Sequence, residues 1–426
     1  MTLRGIFVKK EHGTEFQHLW QRRILLLCWL TYALSYLCRT NLSVALPEMT
    51  KEFHWSASLA GLIGSVFFVT YGAGHLLGGI IGDHIPPKKL ICAGLFGTSI
   101  CNLLMGIFPV YAMLLLTWAV NGLFLSMIWG PVVRIIAIWY PPADRNTPAV
   151  LVTFSSLAGY MISWAGLGIF SHYTSWEFIF FLPGIVTLLF SFWFFWKMND
   201  QPTSLGLINY SSEGTQNTKT ETTVSGSITF WTVIRKNHLL FFCLAASIQG
   251  IIKDGITLWA PSILTSFYHS SQAVISLASS LIPLFSMPGV FLAGWLIDKS
   301  KGREKQPALL LFGATAGCVL LLFLEMGSWL WLDVVLFGLI SSLLYGINTI
   351  LLTFLPLRFA SAGRTSSVAG LLNFSAYLGA GCSGILSGAM TDRFGWNSTI
   401  LLWTILCVVG IFSIAAGNSK KESHKA

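Results

Sequence analysis

Twelve long apolar runs, separated by short polar intervals, set the plan of this chain. The first six lie at about 24–46, 58–81, 90–110, 112–138, 148–170 and 176–197, and the second six at about 238–266, 273–298, 307–325, 330–357, 365–388 and 396–416. Each is close to the roughly twenty residues that an α-helix needs to cross the hydrocarbon core of a bilayer. The pattern predicts an all-α polytopic membrane protein, six helices on either side of a central polar interval. That interval, 198–237, is rich in Ser, Thr, Asn and Gly and lacks an apolar period, so it reads as a tether. The expected domains are an N-terminal six-helix bundle (1–197), a cytoplasmic linker (198–237) and a C-terminal six-helix bundle (238–426).

Composition narrows the class. Of 426 residues, 54% are hydrophobic and 10% charged, with a mean hydropathy of +0.69, which excludes a soluble domain of this size. A net charge of +9 raises nucleic-acid binding, but the placement of the charges argues against it. Arg22, Arg23, Lys88, Lys89, Arg145, Lys197, Arg235, Lys236, Lys299, Lys301, Arg303, Lys305, Arg358, Arg364, Lys420 and Lys421 fall at one set of loops and tails. The opposite loops carry little beyond Lys51 and Arg393. By the positive-inside rule both termini are expected in the cytoplasm. Residues 1–21 are polar and basic, without a cleavable-signal pattern. Eight cysteines stand singly in apolar runs, in no metal or redox spacing, and read as small buried hydrophobes. No nucleophile–base constellation, metal cluster or Gly-Lys-Ser/Thr phosphate loop occurs. Neither enzyme activity nor a cofactor nor ATP coupling is expected.

One charge breaks the apolar pattern. Arg39 lies inside the first run. Its guanidinium keeps its proton there, at a cost of roughly 2.5–3.5 kcal/mol near a bilayer centre, so it is expected to face a protein-lined or watery interior. Tyr32, Tyr36, Arg39 and Ser43 share one helical face, a polar stripe expected to line an anion pathway. The N-terminal half offers Arg39 no evident mid-span carboxylate. In the seventh run Lys253 and Asp254 are adjacent. Neighbours on a helix point about 100° apart, which weighs against a merely local pair. Asp254 is either a proton acceptor or the partner that holds Lys253.

The two halves also repeat. Gly79, Gly82, Asp83, Lys88 and Lys89 follow the second run, and Gly294, Asp298, Lys299, Lys301 and Arg303 follow the eighth. A Gly-x-x-x-Asp helix end with basic residues thus occurs in register in each half. Small residues permit close helix approach, and such duplication marks carriers that rock two bundles about a midplane site. Arg134, Asp83, Asp298, Lys299 and Arg303 read as cytoplasmic helix-end contacts that latch one conformation.

On these residues the chain resembles the major facilitator superfamily, and within it the organophosphate–inorganic phosphate antiporters, the glycerol-3-phosphate and hexose-phosphate transporters. The stretch from Tyr32 to Asn41, with Ala45 and Pro47, is similar to that family's first helix and its substrate arginine. Asp83 through Pro87 and Lys88 resembles its loop after the second helix. Gly122, Met127, Trp129, Pro131 and Arg134 stand at its fourth-helix spacing, and Asp200, Pro202, Gly206 and Leu207 resemble its element after the sixth. Leu239 to Pro261, then Pro288, Gly289, Gly294 and Trp295, resemble its seventh and eighth helices; Tyr345, Gly346, Tyr377 and Gly379 fall in the tenth and eleventh.

The resemblance implies a major facilitator fold of two pseudo-symmetric six-helix bundles in a bacterial inner membrane, acting as a monomer. It also implies a phosphate site between the bundles with one cation from each. Arg39 matches the first cation. Lys253 stands where the second is arginine, and His75 where better-known members carry lysine. Leu157 replaces a fifth-helix histidine, and Gly250 replaces a tyrosine one turn before Lys253. Tyr32, Tyr36, Tyr71, Trp129, Tyr345 and Tyr377 match the family's pore aromatics. The implied mechanism is exchange of a phosphate ester for inorganic phosphate by alternating access, obligatory because facing cations without an anion resist closure. Two rivals stand beside it: a proton-coupled carrier of carboxylates or other organic anions in which Asp254 titrates, and a membrane sensor on a transporter scaffold.

Overall fold

The computed structural model describes residues 3–81, 85–141, 144–171, 173–207, 210, 238–268, 270–301, 303–359 and 365–417. Among them every regular element is helical. The N-terminal half holds α1 (Leu3–Glu52), α2 (Ala57–Ile81), α3 (Pro87–Ile107), α4 (Tyr111–Trp139), α5 (Asn146–Met161) and α6 (Phe178–Lys197). The C-terminal half holds α7 (Leu239–Phe267), α8 (Gln272–Ser280), α9 (Lys305–Glu325), α10 (Leu330–Thr349), α11 (Thr365–Phe394) and α12 (Trp396–Ala416). Three of these run on through irregular turns. α5 continues through a π-helical stretch (Ile162–Leu167) to Gly168–Ser171, and α8 through a tight turn (Ile282–Phe285) to Ser286–Lys299. α10 continues through a second π stretch (Ile350–Phe354) to Leu355–Leu357.

Eleven described segments are long and apolar enough to cross a membrane. α1 is the twelfth: it has the length, but Tyr32, Tyr36, Arg39 and Asn41 dilute its hydropathy. Apart from 198–207 and 210, the expected linker lies outside the described residues, as does Asp83.

Two helices outrun their apolar segments, each for a visible reason. α1 begins well before residue 24 because its polar first half has partners. Gln21 Nε2 donates to the Trp139 carbonyl at 2.8 Å, the Tyr140 hydroxyl donates to the Gln21 carbonyl at 2.8 Å, and Trp20 stacks on Trp139. α11 continues past residue 388, so Arg393, read as a loop residue, lies in its last turn.

The packing repeats with an offset of six helices. α1 packs on α5, α2 on α4, and α3 on α4 and α6; correspondingly α7 packs on α11, α8 on α10, and α9 on α10 and α12. This is the spatial form of the duplication. Between the bundles α1 meets α7, α2 meets α11, and α5 meets α8.

The α2–α11 seam depends on missing side chains. A Cβ on Gly61 would strike the Gly384 carbonyl, and one on Gly384 the Gly61 carbonyl. Gly168 of α5 lies likewise against Ser276 of α8. Backbones that approach this closely gain dispersion contacts along their whole length. At the first turn of α2, Asp392 accepts the backbone N–H groups of Ala57 (2.7 Å) and Ser58 (2.8 Å) and the Ser58 hydroxyl. A carboxylate there satisfies donors that the helix leaves unpaired. The bundles are therefore closed at the end where α2 begins.

Candidate functional site

Arg39 is held by a buried amide network one residue away. Asn41 Nδ2 donates to Asn102 Oδ1 at 2.7 Å and to the Ile179 carbonyl at 3.2 Å. Asn121 Nδ2 donates to the Cys38 carbonyl at 3.2 Å, Asn102 Nδ2 reaches the same carbonyl at 3.4 Å, and Thr98 donates to Asn121 Oδ1. All three asparagines and Thr98 are fully buried. An unpaired amide in such surroundings costs several kcal/mol, so the network locks α1 against α3, α4 and α6 in one register. Farther along α1, Ser43 accepts the Trp164 indole N–H at 3.0 Å. Its hydroxyl is thus committed to packing of the π-helical stretch of α5.

The second cation is placed by close helix approach. A Cβ on Gly250 would strike the Ala376 carbonyl of α11, and one on Gly379 the Ser247 carbonyl of α7. The Ser247 hydroxyl adds a 2.7 Å bond to the Ser375 carbonyl. This explains the glycine at 250: a tyrosine there would drive α7 off α11. Lys253 follows one turn later, with its ammonium over the Tyr345 ring of α10.

Charges from both bundles meet on one carboxylate. Lys253 Nζ lies 3.2 Å from Asp254 Oδ1 and 3.2 Å from Oδ2, and Arg39 Nη2 lies 3.9 Å from Oδ1. The side chain of Asp254 is only 3% exposed, against 11% for Arg39 and 17% for Lys253. Of the two roles left open for Asp254, this contact is the one expected of a partner that holds Lys253, despite the roughly 100° between neighbours on a helix. The lysine stem is long enough to fold its ammonium back onto the neighbouring carboxylate.

Aromatic rings enclose the cluster. The Arg39 guanidinium carbon lies 4.9 Å from the Tyr71 ring centroid, 5.4 Å from those of Tyr36 and Phe68, and 5.6 Å from that of Phe67. Lys253 Nζ lies 5.5 Å from the Tyr345 ring. Such contacts stabilise a cation by roughly 0.5–2 kcal/mol each while leaving its N–H donors usable. Tyr32 bridges Trp129 (4.7 Å) and Tyr36 (5.1 Å). His75 stacks on Tyr377 at 5.6 Å and meets the Tyr71 ring edge-on at 4.5 Å. Two buried nitrogens in this wall, Arg39 Nε and His75 Nε2, have no hydrogen-bond partner. Beyond Arg39, a cavity of about 20 Å³ bounded by Ser43, Phe67, Phe68, Thr257 and Leu258 has room for a single water molecule. Among the described residues, no group of three or more His, Cys, Asp or Glu side chains is placed to hold a metal ion.

The chain as a whole has known relatives. The family model of the Major Facilitator Superfamily matches residues 28–382. The chain belongs to the major facilitator superfamily. Superfamily members that it resembles along nearly their whole length include a "Probable hexose phosphate transport protein" of Chlamydia muridarum, 25% identical over 95% of this chain and 92% of the relative. The "Glycerol-3-phosphate transporter" of Bacillus subtilis is 26% identical over 92% of this chain and 91% of its own. The "Membrane sensor protein UhpC" of Escherichia coli is 25% identical over 94% and 90%. Among solved structures, the nucleoside transporter NupG superposes with a TM-score of 0.72 at 16% identity, over 92% of this chain and 98% of its own. A bacterial homologue of the human lysosomal transporter Spinster gives 0.73 at 16% identity, over 92% and 96%. These two establish the major facilitator fold and nothing finer.

The fold brings together every substrate-site candidate: Tyr32, Tyr36, Arg39, Tyr71, His75, Trp129, Lys253, Tyr345 and Tyr377, with Asp254 among them. The helix-end candidates lie elsewhere. Arg134 donates to the Ile85 carbonyl at 3.2 Å, Lys299 covers the Trp295 ring at 4.9 Å, and Asp298 and Arg303 flank the turn after α8. Sequence reasoning missed Tyr160, which stands 5.2 Å from Tyr36, along with Phe67, Phe68, Asn102 and Asn121. The asparagines carried a usable signal, since amides inside apolar runs demand partners.

Proposed function

We propose that the chain is an alternating-access carrier for phosphate esters, which it exchanges for inorganic phosphate. One observation carries this reading. A cation on α1 and a cation on α7 converge from opposite bundles on one carboxylate, Asp254, with Arg39 keeping an unpartnered Nε and His75 an unpartnered Nε2 in the same wall. A phosphoryl group offers oxygens to all of these donors at once, bidentately to arginine and as a point contact to lysine. The names of the relatives support the substrate class. Oxygens arriving at Arg39 displace Asp254, since unit charges about 4 Å apart interact by roughly 4 kcal/mol at an effective dielectric of about 20. With the anion held from both sides, closure at one end and opening at the other become alternatives of similar energy. The basic loops support an orientation with both termini in the cytoplasm, and in this reading Arg134, Asp83, Asp298, Lys299 and Arg303 latch the cytoplasmic end.

The test uses purified protein in vesicles loaded with phosphate. Labelled glycerol 3-phosphate or glucose 6-phosphate should enter, and lactate or malate should not. Entry of carboxylates alone would overturn the substrate class. A second reading, a sensor that binds the ester without moving it, is favoured by the likeness to the membrane sensor protein. Tight ester binding without flux would select it.

A further inference from the structure

The charge cluster contains its own anion. Asp254 contacts Lys253 with both oxygens at 3.2 Å and Arg39 at 3.9 Å, and it is nearly inaccessible. Lys253 and Asp254 belong to α7, whereas Arg39 belongs to α1, so the contact ties one bundle to the other. Among the described residues, Asp254 is the acidic side chain paired with both cations. The other polar neighbours are the phenols of Tyr36, Tyr71 and Tyr160, the hydroxyls of Thr40, Ser43 and Thr257, and the imidazole of His75, none of which adds a formal charge while the imidazole is neutral. The cluster therefore holds one net positive charge in place of two.

That arithmetic changes what closure requires. A site with two bare facing cations repels itself as the bundles approach, and only a bound anion relieves the repulsion. Exchange is then obligatory, because the unloaded carrier does not complete its return. Here a carboxylate of the chain supplies the relief at the same place. The cluster is assembled in an arrangement already closed across α2 and α11 by Asp392 and by the Gly61–Gly384 contact.

We propose that Asp254 is a built-in substitute for the substrate anion: by bridging Arg39 and Lys253 it lets the bundles close without cargo, so the carrier supports net movement of its substrate as well as exchange. The proposal rests on the reading of Arg39 and Lys253 as the anion site. It makes Asp254 a positioning residue, exchanged out of the bridge each time phosphate enters.

Two measurements test it. In the first, spin labels at Lys89→Cys and Gln306→Cys, in a background with Cys92→Ser, Cys318→Ser and Cys382→Ser, which removes the thiols that are not buried, report the distance between the bundles in nanodiscs. Without added anion, the wild-type background should populate two distances. Asp254→Asn should collapse them to one, and Asp254→Glu should restore both. Two populations in Asp254→Asn, at wild-type weights, would overturn the proposal. Addition of inorganic phosphate to Asp254→Asn should bring the second population back. If it does not, although the collapse occurs, the phosphate reading fails and the role of Asp254 stands. In the second, vesicles loaded with labelled phosphate are diluted into medium with or without phosphate. The ratio of net loss to exchange should be at least about tenfold lower in Asp254→Asn than in the wild type, a shift of about 1.4 kcal/mol in the return of the unloaded carrier. An unchanged ratio would overturn it.

Discussion

Arg39 is surrounded by four aromatic faces and one carboxylate, and a lysine does not inherit that arrangement. Lysine keeps the charge but loses the planar fork and the stacking. Arg39→Lys should weaken phosphate binding by about tenfold or more, near 1.4 kcal/mol, with little change in melting temperature; titration calorimetry on purified protein checks this. His75→Phe is the complementary case. It keeps a ring against Tyr377 and removes Nε2, so affinity should fall by roughly 1 kcal/mol, the worth of one hydrogen bond, while stability holds. Much of this site was legible in the sequence because charge within an apolar run announces itself: Arg39, Lys253 and Asp254 stand out for that reason. The bridge was legible only in part: the sequence left open Asp254 as the partner of Lys253, but the Arg39 contact depends on the meeting of two helices more than two hundred positions apart. Tyr160 escaped notice for a related reason, since nothing local distinguishes it from a packing tyrosine until α5 lies against α1.

Helices hold these side chains to tolerances that two kinds of residue set. Asn121 fixes the Cys38 carbonyl beside Arg39. Asn121→Leu leaves that carbonyl with only the longer Asn102 contact and strands the Thr98 hydroxyl, so it should cost about 1–3 kcal/mol of stability and loosen anion binding with it, measurable by thermal unfolding with and without phosphate. Gly384 acts in the seam rather than the site. A leucine there meets the α2 backbone at Gly61 and the Ser65 hydroxyl, so Gly384→Leu should fold and bind phosphate yet transport at least about tenfold more slowly, because overpacking of 1–3 kcal/mol falls on the closed state alone. Binding and flux assays on the same preparation separate the two effects. Helix positions were readable to within a few residues from the apolar runs. The exceptions were α1 and α11, whose polar extensions are stabilised by Trp139, Tyr140 and the first turn of α2, partners that no local pattern names.

At the scale of the molecule each bundle repeats the same packing scheme and contributes one cation, so the charge cluster lies on the seam between them. In the proposed carrier this duplication is what would let one site serve two sides of a membrane. The sequence carried this in its paired Gly-x-x-x-Asp helix ends and its six-plus-six runs. It did not carry which end is shut, because that is decided by Asp392 and the glycine contacts of α2 with α11. Ester uptake into phosphate-loaded vesicles by the wild type, Arg39→Gln and Lys253→Gln, each at equal protein and with matched thermal stability, tests the central claim most directly. The two-cation site predicts uptake by the wild type and a loss of about a hundredfold or more, near 2.7 kcal/mol, in each variant; wild-type uptake by either variant would contradict it.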